Sequence, residues 1–153
     1  MPEETVSLKG NLHIVVRDEH GNIKEERQEK NLVVSAGLSH IAARLAESSS
    51  PTRMSHMAIG TGTTAAASGD TVLGNGTTDE KGRVALTSFG ASGAVATAVA
   101  TFGAGTGTGA ITEAGIFNSA SANAGTMLCR TVFAVVNKGT SDSMTITWTI
   151  TVS

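Results

Sequence analysis

Aromatic residues are scarce in this 153-residue chain, which has four Phe, one Trp and no Tyr. Cysteine and proline are scarce as well, with one Cys and two Pro. A single Cys excludes an intramolecular disulfide, so we expect synthesis in a reducing compartment. The shortage of Trp and Tyr removes the usual platforms on which sugars stack, and this disfavours a carbohydrate-binding module.

Charge is also limited, because charged residues make up 16% of the chain and the formal net charge is -2. Such a balance provides no electrostatic footprint for nucleic acid or for an anionic membrane. The first ten residues lack the basic and apolar regions of a signal peptide. The most apolar stretch, residues 93–105, is interrupted by Thr and Gly and is too short to span a bilayer. We therefore expect neither a nucleic-acid partner nor a membrane partner.

Short alternating segments dominate what is present. In residues 144–152, the apolar side chains Met144, Ile146, Trp148, Ile150 and Val152 alternate with four threonines, which predicts a strand with one buried face. Other predicted strands are residues 5–18, 56–60, 83–89, 94–102, 111–117 and 126–136. Strands of this length between turn clusters indicate a mainly β protein, an antiparallel β-sandwich of jelly-roll or Ig-like type.

One short α-helix is predicted in the N-terminal third, at residues 35–46. Apolar residues recur at i, i+3, i+4 and i+7 as Leu38, Ile41, Ala42 and Leu45. This spacing places them on one helical face. We expect that face to pack on one end of the sheet.

The N-terminal segment predicts a two-part organisation within a single structural domain: a β-ribbon or arm at residues 1–34 and a sandwich body at residues 35–153. Residues 24–30 have only charged or amide side chains, which is typical of a solvated ribbon or an exposed edge. The apolar residues before them need cover from the body or from a neighbouring subunit. They are the candidate partner contacts Val6, Leu8, Leu12, Ile14 and Val16. Deletion of residues 1–30 is then expected to leave a folded body.

A nucleotide-like spacing occurs at Gly60, Gly62 and Ala65, which fit G-x-G-x-x-G/A. Glu80 lies at the distance expected of a ribose ligand, but it falls in a polar loop. Residues 65–70 are too short and too interrupted by Gly to form the required helix. The Gly-rich runs are therefore interpreted as flexible connections between strands, and no nucleotide cofactor is expected.

Other chemistry-bearing residues are dispersed along the chain. His13, His20, His40 and His56 have no metal-ligand spacing. Cys129 lies in an alternating strand, where a small buried thiol is the usual outcome. The sequence thus predicts no catalytic, metal-binding or cofactor-binding residue and no enzyme.

Four segments carry a family resemblance: "NLVVSAGLSHIAARLA" (31–46), "HMAIGTGTTAAASGDTVLG" (56–74), "ITEAGIFN" (111–118) and "TVFAVVNKGTSDSMTITWTITVS" (131–153). The chain resembles a group of small virion proteins of tailed bacteriophages, from about Leu12 onwards. The segment "ITEAGIF" is also similar to parts of tail-collar fibre and baseplate proteins. Residues 74–83 do not match the pattern and are interpreted as a variable loop.

The resemblance implies a non-enzymatic virion structural protein, made in the cytoplasm of the host bacterium. A compact chain without a fibre shaft favours a capsid decoration (cement) protein, a homotrimer that stabilises contacts between subunits of the major capsid protein. The alternative is a tail, collar, baseplate or tail-fibre component of the same virion. A host-glycan-binding module is a further, less favoured alternative.

Overall fold

The computed structural model describes residues 4–47 and 52–153, apart from the side chain of Thr77. These ranges contain a short 3-10 turn at Gly76–Thr78. Their other elements are β1 (Leu8–Arg17), β2 (Ile23–Val33), α1 (Ser35–Ala46), β3 (His56–Gly60), β4 (Glu80–Ala85), β5 (Ser88–Ser92), β6 (Val95–Phe102), β7 (Gly109–Phe117), β8 (Met127–Lys138) and β9 (Ser143–Val152). The expected mainly β fold with one short helix is thus confirmed for the described residues.

The strands form one antiparallel sheet in the order β4-β3-β7-β8-β2-β1-β9-β6-β5. The sheet curls, because Ile59 on β3 and Phe102 on β6 belong to one buried cluster although five strands separate β3 from β6. Between β4 and β5, Leu86 N–H donates to Ser55 and Thr87 N–H donates to Val99. This short crossing joins the two edges of the sheet beside the main core.

Strand β9 places its apolar residues as its alternation predicts. Met144, Ile146, Trp148 and Ile150 are buried in the main core. Trp148 is fully buried at 0% exposure, and its indole N–H has no hydrogen-bond partner among the described residues. Val152, at the end of the strand, is exposed. The threonines between them lie on the opposite, outer face.

Strand β1 lies inside the sheet, which changes the expected two-part organisation. It pairs with β2 along one edge and with β9 along the other. Leu12, Ile14 and Val16 project into the main core and are at most 1% exposed. Residues 8–33 are therefore part of the body, because the body itself covers the apolar side of β1.

Strand β2 is polar because it borders a place where the sheet opens. It pairs with β1 over most of its length but with β8 only through Leu32 and Val33. Across the opening, Arg27 donates hydrogen bonds to the carbonyls of Ala134 (3.0 Å) and Val135 (3.0 Å). Those carbonyls lie in β8 beside an irregularity of its pairing with β7. Arg27 thus satisfies backbone acceptors of β8 across the opening, and residues 24–30 pair with β1 on one side and border the opening on the other, as an exposed edge rather than a separate arm.

Helix α1 packs in an orientation opposite to the one expected. Its buried residues are Gly37 and His40, while Leu38, Ile41, Ala42 and Leu45 are exposed. A Cβ atom at Gly37 would overlap the backbone carbonyl of Leu128. The helix therefore approaches β8 through its smallest residue, and this close backbone contact turns the apolar stripe to solvent.

Candidate interaction surface

The loop between β3 and the 3-10 turn, residues 61–70, is held on the outer side of the sheet by charged groups. Arg130 on β8 donates to Glu113 on β7 through Nε (3.0 Å) and Nη2 (2.9 Å). Its Nη1 donates to Asp70 (2.8 Å), and its Nη2 also donates to the carbonyl of Thr64 (2.9 Å). Glu113 is fully buried and Arg130 is 1% exposed. The two ends of the loop are thus tied to one buried ionic cluster.

The glycines of the nucleotide-like spacing serve this packing. Gly62 N–H donates to Glu113 Oε1 (2.8 Å), and a Cβ atom on Gly62 would overlap that carboxylate. A Cβ atom on Gly60 would lie 2.7 Å from Glu113 Oε1 and 2.7 Å from the carbonyl of Asp79. The interpretation of this run as a flexible connection is therefore wrong at its start, since a buried carboxylate occupies the space beside both glycines.

A second charged pair fixes the loop between β7 and β8. Glu80 and Arg83 have side chains only 3% exposed and pair at 2.7 Å. Arg83 also donates to the carbonyls of Ser119 and Ala124 and stacks over the ring of Phe117, 3.9 Å from its centroid. Glu80 accepts a hydrogen bond from the N–H of Asn123. The carboxylate of Glu80 therefore has a structural role, in which it binds Arg83 and the N–H of Asn123.

A third cluster closes the turn between β8 and β9. Lys138 Nζ donates to the carbonyls of Gly103 (2.8 Å) and Asp142 (2.8 Å). Burial lowers the pKa of Lys138, an effect partly offset by the negative charge of Asp142. The hydrogen bond from Lys24 is the main cause of the lowered pKa of Asp142, followed by the N–H of Gly139. These groups tie the start of β2 to the β8–β9 turn.

Nucleophiles and metal ligands do not converge among the described residues. Burial raises the pKa of the Cys129 thiol well above its ordinary value, which keeps the sulfur protonated. Burial, followed by the positive charge of Arg44, lowers the pKa of His40. Within residues 4–47 and 52–153, no group of three His, Cys, Asp or Glu side chains is placed to hold a metal ion.

The structure separates the five candidate partner contacts. Leu12, Ile14 and Val16 are core residues and are not accessible to a partner. Leu8 is half-buried against the core, whereas Val6 is 77% exposed. The sequence left open whether the body or a neighbouring subunit covers these residues. For Leu12, Ile14 and Val16 it is the body.

Helix α1 carries an exposed apolar stripe of three large residues, whereas Val6 is the one exposed residue among the five candidate partner contacts. Leu38 is 51% exposed, Ile41 is 38% exposed and Leu45 is 87% exposed. The helical spacing identified these residues but assigned them to the core. The N-terminus of α1 adjoins the loop of residues 61–70, because Ser35 N–H donates to the carbonyl of Ser68 (2.7 Å). The loop and the helix thus form one continuous surface, which we call the loop–helix face (residues 61–70 and α1).

Two residues that build this face were not identified from the sequence. Glu113 interrupts the apolar run "ITEAGIF", and Arg130 interrupts "MLCRTVF". A single carboxylate and a single guanidinium in two otherwise apolar strands are a signal for a buried pair, because a buried charge needs a partner.

Within the described part of the chain, no helix has the length and hydropathy needed to cross a membrane. Comparisons with protein-family models, with curated proteins and with solved structures find no match to this chain.

Proposed function

We propose that this chain is a non-enzymatic structural protein of a bacteriophage virion, and specifically a capsid decoration protein that stabilises contacts between major capsid subunits. The observation that carries the proposal is the loop–helix face. Its loop is held by the Arg130–Glu113 pair, while its helix exposes Leu38, Ile41 and Leu45. Apolar side chains on a rigid support are the arrangement with which proteins bind other proteins.

The charge of this face supports a protein partner. In the loop, residues 60–69 carry no ionisable side chain, and Asp70 is paired with Arg130, which also pairs with Glu113; the ionisable residues of the helix are the buried His40 and the exposed Arg44. The centres of protein–protein interfaces are depleted of charged residues in the same way. A surface of this kind fits an uncharged protein surface better than an anionic polymer.

A second outer face supports the bridging role of a cement protein. Strand β9 presents Thr145, Thr147, Thr149 and Thr151 on its outer side, all half-buried. Their neighbours on β6 include Thr97 and Val99. This face is separate from the loop–helix face, because β2 and β1 lie between β8 and β9 in the sheet order. Two separate contact faces would let one copy touch two neighbouring subunits. We also propose that the fold belongs to the β-sandwich class and that the protein is a homotrimer.

Immunogold electron microscopy of purified particles tests the assignment. A decoration protein predicts label distributed over the heads. Label confined to the tail, collar or baseplate would favour the alternative virion role, and unlabelled particles would contradict a place in the virion.

A further inference from the structure

We propose that helix α1 of one copy docks into a groove on a second copy of this chain. The inference rests on the proposed function only in that an assembly protein needs contacts between copies. Its evidence is a helix face and a groove with complementary chemistry on the same molecule.

The helix contributes a rigid apolar ridge. Leu38, Ile41 and Leu45 lie on one face and Leu45 is 87% exposed, the largest exposure of any large apolar residue that the structure describes. The contact of Gly37 with the backbone of Leu128 fixes the helix on β8. At the C-terminal end, Glu47 adopts a left-handed conformation (φ 52°), and its N–H donates to the carbonyls of Ala43 and Arg44. The ridge is therefore held at both ends without being covered.

The groove lies between the loop of residues 61–70 and the junction of β2 with β8, and it has a volume of about 330 Å³. Its walls include Leu32, Ala65, Ala66 and Val132. Arg130 lines it, but its guanidinium is neutralised by Glu113 and Asp70. Asn31, Thr63 and Thr131 add polar groups to these walls, so the groove combines apolar and polar surface, and its volume is sufficient for leucine-sized side chains.

Charge complementarity points to a second copy as the occupant. Lys30 lines the groove and has no acidic partner among the described residues. Glu47 follows Leu45 by two residues, is exposed, and has no basic partner in the described ranges. The proposed docking places Leu45 against the apolar part of the groove and pairs Glu47 with Lys30 on its wall.

The size of α1 favours a groove over simple helix-to-helix pairing. A helix of 12 residues is about 18 Å long. One such helix laid on its twin covers far less than the roughly 800 Å² per partner of a standard interface. A groove contacts the helix on two sides and adds the loop to the buried area. Because every copy carries both elements, the contact closes either reciprocally in a dimer or around a ring.

The experiment measures the oligomeric state of the full-length protein by light scattering coupled to size exclusion, at tens of micromolar. The wild type is expected to be an oligomer, and Leu45→Ser is expected to be a monomer with an unchanged circular dichroism spectrum. Val6→Ser is the matched control, because Val6 is also highly exposed but lies outside both elements; it should remain an oligomer.

A charge exchange tests the pairing itself. Glu47→Lys and Lys30→Glu should each raise the dissociation constant at least about tenfold, since each opposes like charges. The double variant should restore the oligomer, whereas Glu19→Lys in the exposed β1–β2 turn should leave it intact. A monomeric wild type, an oligomeric Leu45→Ser variant, or a double variant no better than the singles would overturn the proposal. None of these results depends on whether particles carry the protein, so the failure of the virion assignment is distinguishable.

Discussion

Arg130 and Glu113 form a buried ion pair in which one carboxylate oxygen accepts hydrogen bonds from both Nε and Nη2 of the guanidinium. The other carboxylate oxygen accepts the N–H of Gly62. A contact between neighbouring strands β7 and β8 thereby fixes a loop that follows β3. The loop–helix face depends on this pair for its shape.

Removing the cation should destabilise the fold strongly. Arg130→Met leaves the fully buried Glu113 without its counter-ion, and breaking a buried pair in this way costs about 3–5 kcal/mol. The matched control is Glu26→Gln, which disrupts the exposed pair of His13 and Glu26 and should cost less than about 1 kcal/mol. Urea unfolding of the two variants measures both free energies. Equal effects would show that the buried pair does not stabilise the fold.

Two glycines of the same loop should respond in opposite ways to alanine. Gly62→Ala forces a Cβ atom into the Glu113 carboxylate and should cost about 1–3 kcal/mol through overpacking. At Gly69 an added Cβ meets nothing within 4 Å, so Gly69→Ala should be neutral or stabilising by up to about 1 kcal/mol. Thermal denaturation of both variants distinguishes these outcomes. A Gly62→Ala protein as stable as the wild type would mean that the loop is not held as described.

The pH dependence of stability should contain a contribution from His40. Burial, followed by Arg44, lowers its pKa in the folded state below the ordinary value of 6.5. The unfolded chain therefore binds this proton first, and the free energy of unfolding falls as the pH decreases from about 6.5 towards the lowered pKa.

His40→Gln should flatten this part of the profile, as measured by urea unfolding between neutral and mildly acidic pH. The control is Ser39→Ala, an exposed neighbour of His40 on α1 without a titratable side chain, which should keep the wild-type slope. An unchanged slope in His40→Gln would exclude His40 as the source of the acid sensitivity.

Deleting residues 1–30 should abolish folding. The truncation removes β1 and all but the last three residues of β2, including the core residues Leu12, Ile14 and Val16. Strand β9 would then lose its pairing along one edge. Deletion of residues 1–6 is the control, because β1 begins at Leu8 and Ser7 retains its backbone hydrogen bonds to Ser153. Circular dichroism and urea unfolding report the outcome, and a cooperatively folded 31–153 fragment would restore the two-part organisation.

The alternation of apolar and polar residues in strands is the sequence feature that predicted burial most reliably. In β9, the inner positions Met144, Ile146, Trp148 and Ile150 are buried as their two-residue period predicts. This works because a strand in a curled sheet has one face towards the core, so side-chain direction follows from local geometry alone.

Features that depend on distant contacts could not be predicted in the same way. The apolar stripe of α1 faces solvent because Gly37 meets the backbone of Leu128, a contact that no helical periodicity reveals. The polar residue Arg27 lies beside the opening of the sheet, where β8 leaves carbonyls for it to bind. Glu113 and Arg130 are 17 residues apart, and their pairing follows from the fold.

The copy number of this protein in purified virions tests the central claim most directly. Quantitative mass spectrometry against the major capsid protein, with isotope-labelled peptides of both chains, gives the ratio. A capsid decoration protein predicts hundreds of copies per particle, in a fixed ratio to the capsid subunit. A dozen copies or fewer would contradict the decoration role in favour of a tail component, and absence from the particle would contradict the virion assignment altogether.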